Sequence, residues 1–312
     1  MTDTSTNDQS PLTGGAAAGA GPAWILSGFA DEAGGTIQEQ IRTLRKAGMS
    51  WVDLRNVEGH NIASLPEQEA HKVHTRLQDA GIRVGMLGSP IGKIDISDDF
   101  GPDLDRLRHL GRLKPILDCS RVRIFSYYNT KGRSLDQWRT EALDRLGQLK
   151  DLAGQLGLVL FHENERHIFG EGCEQVLQIV AHLRDSEPDG TFKAIFDFDN
   201  YNQAGENVWE TWLKLRDQTD AFHLKDSDSK NQHVPLGQGA GFAREILADA
   251  ATRGWTGILS LEPHLARSPA VLATGPSGQA NQALKEMTAQ EVWQVAARAA
   301  RDVLEKINAP LE

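Results

Sequence analysis

Cysteine is almost absent from this chain of 312 residues: Cys119 and Cys173 are its two. Two thiols build no disulfide framework, and neither stands in a zinc-type spacing. A reducing compartment, the cytoplasm, is therefore the expected location. Runs of Lys or Arg are missing as well. The 33 basic residues are outnumbered by 43 acidic ones, for a net charge of −10. Such a surface repels a phosphate backbone, so nucleic acid is not an expected partner. No apolar stretch approaches the roughly 20 residues that span a bilayer, and no membrane partner is expected. The opening MTDTSTNDQSPLTGGAAAGAGP lacks the basic start and apolar core of a secretion signal. Residues 1–22 instead read as a disordered tail, polar and then rich in Gly and Ala.

The remainder has ordinary globular content, 39% hydrophobic and 24% charged. From residue 23 to 312, strand and helix signals alternate eight times. Strand-like runs appear in WILSGF, SWVDLR, IRVGMLGS and SRVRIFSYY, then in LVLFHENE, FKAIFDFDN, DAFHLKD and GILSLEPH. Amphipathic helical segments separate them, several ending at a glycine: Gly48, Gly81, Gly157 and Gly254 suit the left-handed residue that closes a helix. Eight such units in one domain predict a (β/α)8 barrel, the TIM barrel of the α/β class. An open doubly wound sheet is the alternative, but no Gly-rich nucleotide loop follows the first strand. Two loops exceed what the fold requires: GSPIGKIDISDDFG after the third strand, and residues 263–284 after the eighth. Both leave strand C-termini, where lids and substrate walls are built.

The last four strands each end in a hard metal ligand: Glu163, Asp197, His223 and Glu262. Taken singly, a carboxylate there is often a helix cap or an ion-pair partner, and a His is often structural. Parallel strands deliver their C-terminal ends to one face, so these four are expected to converge. In LVLFHE, Val159, Phe161 and Glu163 share a face by the period of two, as do Ile258, Ser260 and Glu262. Three buried carboxylates without a cation are too costly to stay ionised. Three oxygen donors and one nitrogen favour Mn2+, Mg2+ or Co2+, with Zn2+ less natural without thiolates. Three carboxylates and one divalent ion leave one negative charge. This predicts a substrate that is unphosphorylated or carries its charge remotely.

HENE, DFDN, HLKD and SLEP, in that order, resemble the xylose-isomerase-like barrel superfamily. That group contains sugar isomerases and epimerases, inosose dehydratases and repair nucleases of the endonuclease IV type. SGFADE, DLRNVEGHNI and LGSPIGK resemble its sugar isomerase/epimerase branch. The resemblance spans about residues 24 to 305 and places the family's metal ligands on Glu163, Asp197, His223 and Glu262. It implies an enzyme that isomerises or epimerises a keto sugar or polyol. The route is proton abstraction next to a carbonyl, through an enediolate stabilised by one divalent metal, Mn2+ first. Glu163 and Glu262 become the catalytic acid and base. The alternative is a lyase of the same superfamily, an inosose dehydratase or a 3-keto C-glycoside-cleaving enzyme, in which the same step ends in β-elimination. The partner is then a small sugar or polyol; a homo-oligomer is compatible, and the C-glycoside reading adds a small partner subunit. Multi-metal nucleases use further His and Asp ligands on earlier strands, where this chain has Arg55, Ser89 and Ser126.

Further polar residues are candidates for holding substrate. Arg55 and Lys93 are expected to bind hydroxyls or a carboxylate at the far end of the pocket. Glu165 and His167 lie just beyond the fifth strand. Lys225 shares the face of His223 and can polarise a carbonyl or pair with Asp226 or Asp228. Asn200 stands where the family often has His, three residues after the metal-binding Asp. His162 points away from Glu163 in a regular strand and is expected to be structural. The PLGQGAG stretch resembles a family loop that ends near the site.

Overall fold

A computed structural model describes residues 23–184, 190–265, 268–274 and 281–312. The apolar runs form eight parallel strands: β1 (Ile25–Gly28), β2 (Trp51–Leu54), β3 (Arg83–Gly88), β4 (Arg121–Ile124), β5 (Val159–Glu163), β6 (Phe192–Asp197), β7 (Ala221–Leu224) and β8 (Ile258–Leu261). They pair in the order β1-β8-β7-β6-β5-β4-β3-β2, and β2 returns beside β1 to leave a nearly closed TIM barrel in a single domain. The helices between them are α1 (Ile37–Lys46), α2 (Glu67–Asp79), α3 (Gly101–Leu117), α4 (Leu135–Leu156), α5 (Cys173–Leu183), α6 (Phe198–Gln203), α7 (Val208–Leu215), α8 (Ala243–Thr252), α9 (Pro269–Thr274) and α10 (Ala289–Lys306). The expected tail, residues 1–22, lies outside the described residues. None of the described helices is long and apolar enough to cross a membrane.

Local chemistry explains the boundaries. Thr36, Ser134 and Thr288 start α1, α4 and α10 with capping boxes, each satisfying backbone donors that the helix leaves open. Gly48, Gly81, Gly157 and Gly254 all take positive φ, as the turn after a helix requires. The fourth strand is shorter than SRVRIFSYY suggests. Tyr127 turns to φ +72, and Tyr128 leaves the barrel to bridge Asp95 and Ile168. The short helix α6 was not apparent from periodicity. Asp197 starts it as N-cap, accepting a 2.8 Å hydrogen bond from Asn200 N.

Two apolar layers result from the strand period of two. Outward-facing side chains pack under the helices, while Met86, Phe161, Ile195, Ala221 and Ile258 fill the barrel interior. Phe161, Ile195 and Ala221 each lie two residues before a donor, so they form the floor on which Glu163, Asp197 and His223 stand. At the bottom, Trp24 pairs with Leu311 and closes the barrel with the C-terminal segment.

Both long loops are packed rather than loose where they are described. Ile91 and Ile96 of the β3–α3 loop are fully buried. Gly92 sits at φ +86, and a Cβ there would come within 2.1 Å of Phe125 O, so only glycine lets this loop press on β4. The β8–α10 loop carries α9; its residues 266–267 and 275–280 lie outside the described ones.

Candidate metal centre

The barrel brings Glu163, Asp197, His223 and Glu262 together, each offering one donor atom, with the four atoms within 4.8 Å of one another. Register explains how. His223 lies opposite Asp197 on one side and Ser260 on the other, and Glu262 follows as the first residue beyond β8. All four are at least 98% buried. His223 Nδ1 lies 2.9 Å from Glu163 Oε1 and 3.2 Å from Glu262 Oε2. Burial opposes charging this imidazole, but the two carboxylates outweigh it and push His223 up to about 10. Burial likewise opposes ionisation of Glu163, yet His223 and Arg123 hold its carboxyl down at about 2.

Surrounding contacts fix the donors. Asn164 ties the ends of β5 and β6 together, accepting from Asp197 N at 2.9 Å and donating to Asp197 O at 3.2 Å. Asn200 donates to Asn164 O at 2.8 Å and approaches Glu163 Oε1 at 3.4 Å. Asp197 spends Oδ1 on the α6 cap. Among the described residues its Oδ2, 3.1 Å from Lys225 Nζ, has no hydrogen-bond partner, and neither does His223 Nε2. Buried polar atoms left this way call for a ligand.

The first half of the barrel adds residues that sequence reasoning placed elsewhere or missed. Arg55 does not lie at the far end of a pocket. It is buried against the cluster, with Nε and Nη2 on Asp31 at 2.9 and 3.0 Å, Nη1 on Glu262 at 2.8 Å, and Glu32 at 3.4 Å. Its partners cross 207 positions in sequence, a pairing no local pattern reveals. Arg123, on the inward face of β4, sets Nη1 3.2 Å from both Glu163 Oε2 and Glu262 Oε1. The available signal was an arginine at an inward position of a barrel strand, which cannot be buried unpaired. Lys225 pairs with neither Asp226 nor Asp228 but faces Asp197 and, at 3.7 Å, Glu262.

Other candidates sit further out. Lys93 and Glu165 pair with each other at 2.9 Å, half-buried, with the Lys93 ammonium 4.3 Å from the Phe125 ring centroid. His167 is exposed, at φ +67. His162 faces away from the cluster and stacks on Phe192. Burial alone drags it down to about 4 against the pull of Glu163. The PLGQGAG loop turns three glycine amides, Gly237, Gly239 and Gly241, onto the Asp226 carboxylate at 2.9, 2.9 and 3.1 Å. Those amides are spent within the protein.

The full set changes the charge count made from four residues. Asp31, Glu32, Glu163, Asp197 and Glu262 form one ion-paired network with Arg55, Arg123 and Lys225. Counted fully ionised, five carboxylates against three cations leave two negative charges, which one divalent ion offsets once it displaces the proton that the carboxylates hold on His223; burial, raising Glu32 to about 8, lowers that negative excess further. The donor set and its unused atoms fit such an ion. A second trio, Glu32, Glu262 and His264, is equally compact. Arg55 already contacts both of its carboxylates, so that trio has its cation within the chain.

No curated protein matches the chain in sequence. Solved structures match its fold over most of both chains. A D-psicose 3-epimerase crystallised with D-fructose superposes at TM-score 0.70 and 13% identity, covering 91% of this chain and 99% of its own. The IOLI protein with a bound zinc atom gives 0.67 and 16%, covering 91% and 99%. The probable 3-DHS dehydratase AsbF from Bacillus anthracis gives 0.66 and 15%, covering 89% and 98%. At these identities the likeness concerns fold alone. Residues 41–290 match the family described as xylose isomerase-like TIM barrel, and the chain belongs to that family.

Proposed function

We propose that the chain is a divalent-metal-dependent isomerase or epimerase of a keto sugar or polyol, with Mn2+ as the first candidate ion. The observation that carries this reading is the convergence of Glu163, Asp197, His223 and Glu262 on one buried point. The similarity to a D-psicose 3-epimerase and to a zinc-bound IOLI protein supports it. A bound ion supplies positive charge for the substrate oxygen that turns negative when a proton leaves the neighbouring carbon.

The chain's own residues do the rest. Glu163 and Glu262 come from strands β5 and β8 and flank the centre, so one removes the proton and the other returns it on the opposite face. Arg123 Nη1 touches both carboxylates; with His223 it holds Glu163 down, while Lys225 and His223 do the same for Glu262. Each becomes an effective base when that contact passes to the substrate. Lys225 is placed to donate to a carbonyl oxygen, and Asn200 fixes the orientation of Glu163 without titrating near neutrality. The Lys93–Glu165 pair and His167 are assigned to the substrate's outer hydroxyls.

Incubating the Mn2+-loaded protein with a ketose panel in D2O tests the reading. Deuterium should enter at the carbon beside the carbonyl, and chelation should abolish the exchange. Undiminished exchange by Glu262→Gln with metal still bound removes Glu262 from its role. The same assay separates the lyase alternative, since β-elimination yields a dehydrated or cleaved product rather than an isomer.

A further inference from the structure

Two arginines of the cluster share one aromatic ring, and their environments differ in one respect. The guanidinium carbons of Arg55 and Arg123 each lie 4.9 Å from the Phe29 centroid. Both direct Nη1 at Glu262 Oε1, at 2.8 and 3.2 Å. In Arg55 the remaining planar fork, Nε with Nη2, is filled by both oxygens of Asp31. In Arg123 that fork is empty. Among the described residues its buried Nε has no partner and Nη2 makes no hydrogen bond. The residue is 4% exposed and Phe125 also lies 4.9 Å from its guanidinium carbon, so little of the fork reaches bulk water and Nε reaches none.

A guanidinium fork matches the two coplanar oxygens of a carboxylate, as Asp31 demonstrates on Arg55. A vicinal pair of sugar hydroxyls also offers two oxygens, but without the negative charge that a buried guanidinium calls for. We infer that a substrate carboxylate fills the Arg123 fork, and that the substrate is an acidic keto sugar whose carbonyl end reaches the four-donor centre. This rests on the proposed function and narrows its substrate class. It differs from the expectation of a remote charge because the arginines and Lys225 enter the count: with a divalent ion the network carries no net negative charge and admits a monoanion.

The test compares sugars that differ only in a terminal hydroxymethyl or carboxylate group, D-fructose with D-fructuronate and D-tagatose with D-tagaturonate. Each is titrated calorimetrically into the Mn2+-loaded full chain. At least one acid should bind ten-fold or more tightly than its neutral partner. In Arg123→Gln, checked for metal content and cooperative melting, that advantage should fall below three-fold. Arg123→Lys should restore part of it, since an ammonium keeps the charge but not the fork. Should Arg123→Gln not fold, the Arg123 Nε–H resonance of the wild-type protein decides, because it must shift with the acid and not with the neutral sugar. Absence of preference in both pairs overturns the inference, as does failure of both acids to bind at millimolar concentration. Binding is read without turnover. Deuterium exchange with neutral ketoses and no acid preference sinks this inference alone, whereas acid preference without exchange into any ketose sinks the proposed reaction.

Discussion

The two halves of the barrel contribute opposite chemistry to one point. Strands β5 to β8 deliver Glu163, Asp197, His223 and Glu262, which can hold a metal. Strands β1 to β4 and their loops deliver Arg55 and Arg123, with Asp31 and Glu32 holding Arg55. Glu262 is where the halves meet, touched by Arg55 and Arg123 from one side and by His223 and Lys225 from the other. The difference teaches that the ligand half is not self-sufficient. Arg55 and Arg123 pair with its Glu262 and Glu163 carboxylates, while Lys225 and His223 of the ligand half itself hold Glu262 low and burial still raises Asp197.

Removing Glu262 should therefore have the largest effect. Glu262→Leu leaves two buried guanidiniums short of a partner, and breaking a buried pair from one side costs about 3–5 kcal/mol. Metal binding and deuterium exchange should both vanish, and urea denaturation of the chelated protein should record the stability loss separately. Stability unchanged in the absence of metal would show that the halves are independent. Arg55→Met should cost a similar but smaller amount, because Asp31 and Glu32 lie near the surface groove beside Gly34 and Gly35 and can gain water or protons. A cycle combining Glu262→Leu with Arg55→Met should give a coupling of at least about 1 kcal/mol, the hallmark of residues that share one network.

The halves also differ in how far they could be read from sequence. Glu163, Asp197 and Glu262 end or follow strands of four to six residues and His223 stands one residue before the end of its own, so strand, inward face and donor are encoded within one short segment. Arg55 and Arg123 also end or follow strands, yet nothing local says whether such an arginine points at solvent, substrate or a carboxylate. Their partner Glu262 lies 207 and 139 positions away. Asn200 was legible as a departure from the family pattern, but its contacts to Asn164 and Glu163 depend on α6, a helix of 6 residues too short for periodicity to reveal. Pattern exposes what a strand carries; pairing across the barrel decides what it does.

Metal removal sharpens the comparison from the other direction. With three buried cations beside five carboxylates, the chelated protein should remain folded and cooperative. A metal at about 100 times its dissociation constant adds roughly 2.7 kcal/mol by mass action. Urea titrations with and without EDTA should differ by that order. Collapse of the fold on chelation would mean that the cationic half does not hold the site.

The smallest effect belongs to the other face of β5, where His162 adjoins Glu163 in sequence but not in environment. The residue is 1% exposed, its ring stacks on Phe192, and among the described residues its Nε2 has no partner. Burial lowers it from 6.5 to about 4. A depressed histidine is neutral in the fold and binds its proton more readily when unfolded. The stability it contributes is present above about 6.5 and is lost as pH falls toward 4. Between pH 7 and pH 5 the loss comes to about 2 kcal/mol by linkage. Other groups titrate in that range, Glu32 among them, since burial raises it to about 8 and its protonation stabilises the fold as pH falls. The measurement is therefore a difference: His162→Phe relative to wild type, by urea denaturation at both pH values. The variant should gain about 2 kcal/mol on the wild type as pH drops, with metal affinity unchanged, because His162 faces the helices and Glu163 faces the centre. A constant difference across that interval would place His162 in contact with water or with a partner that keeps it titrating normally.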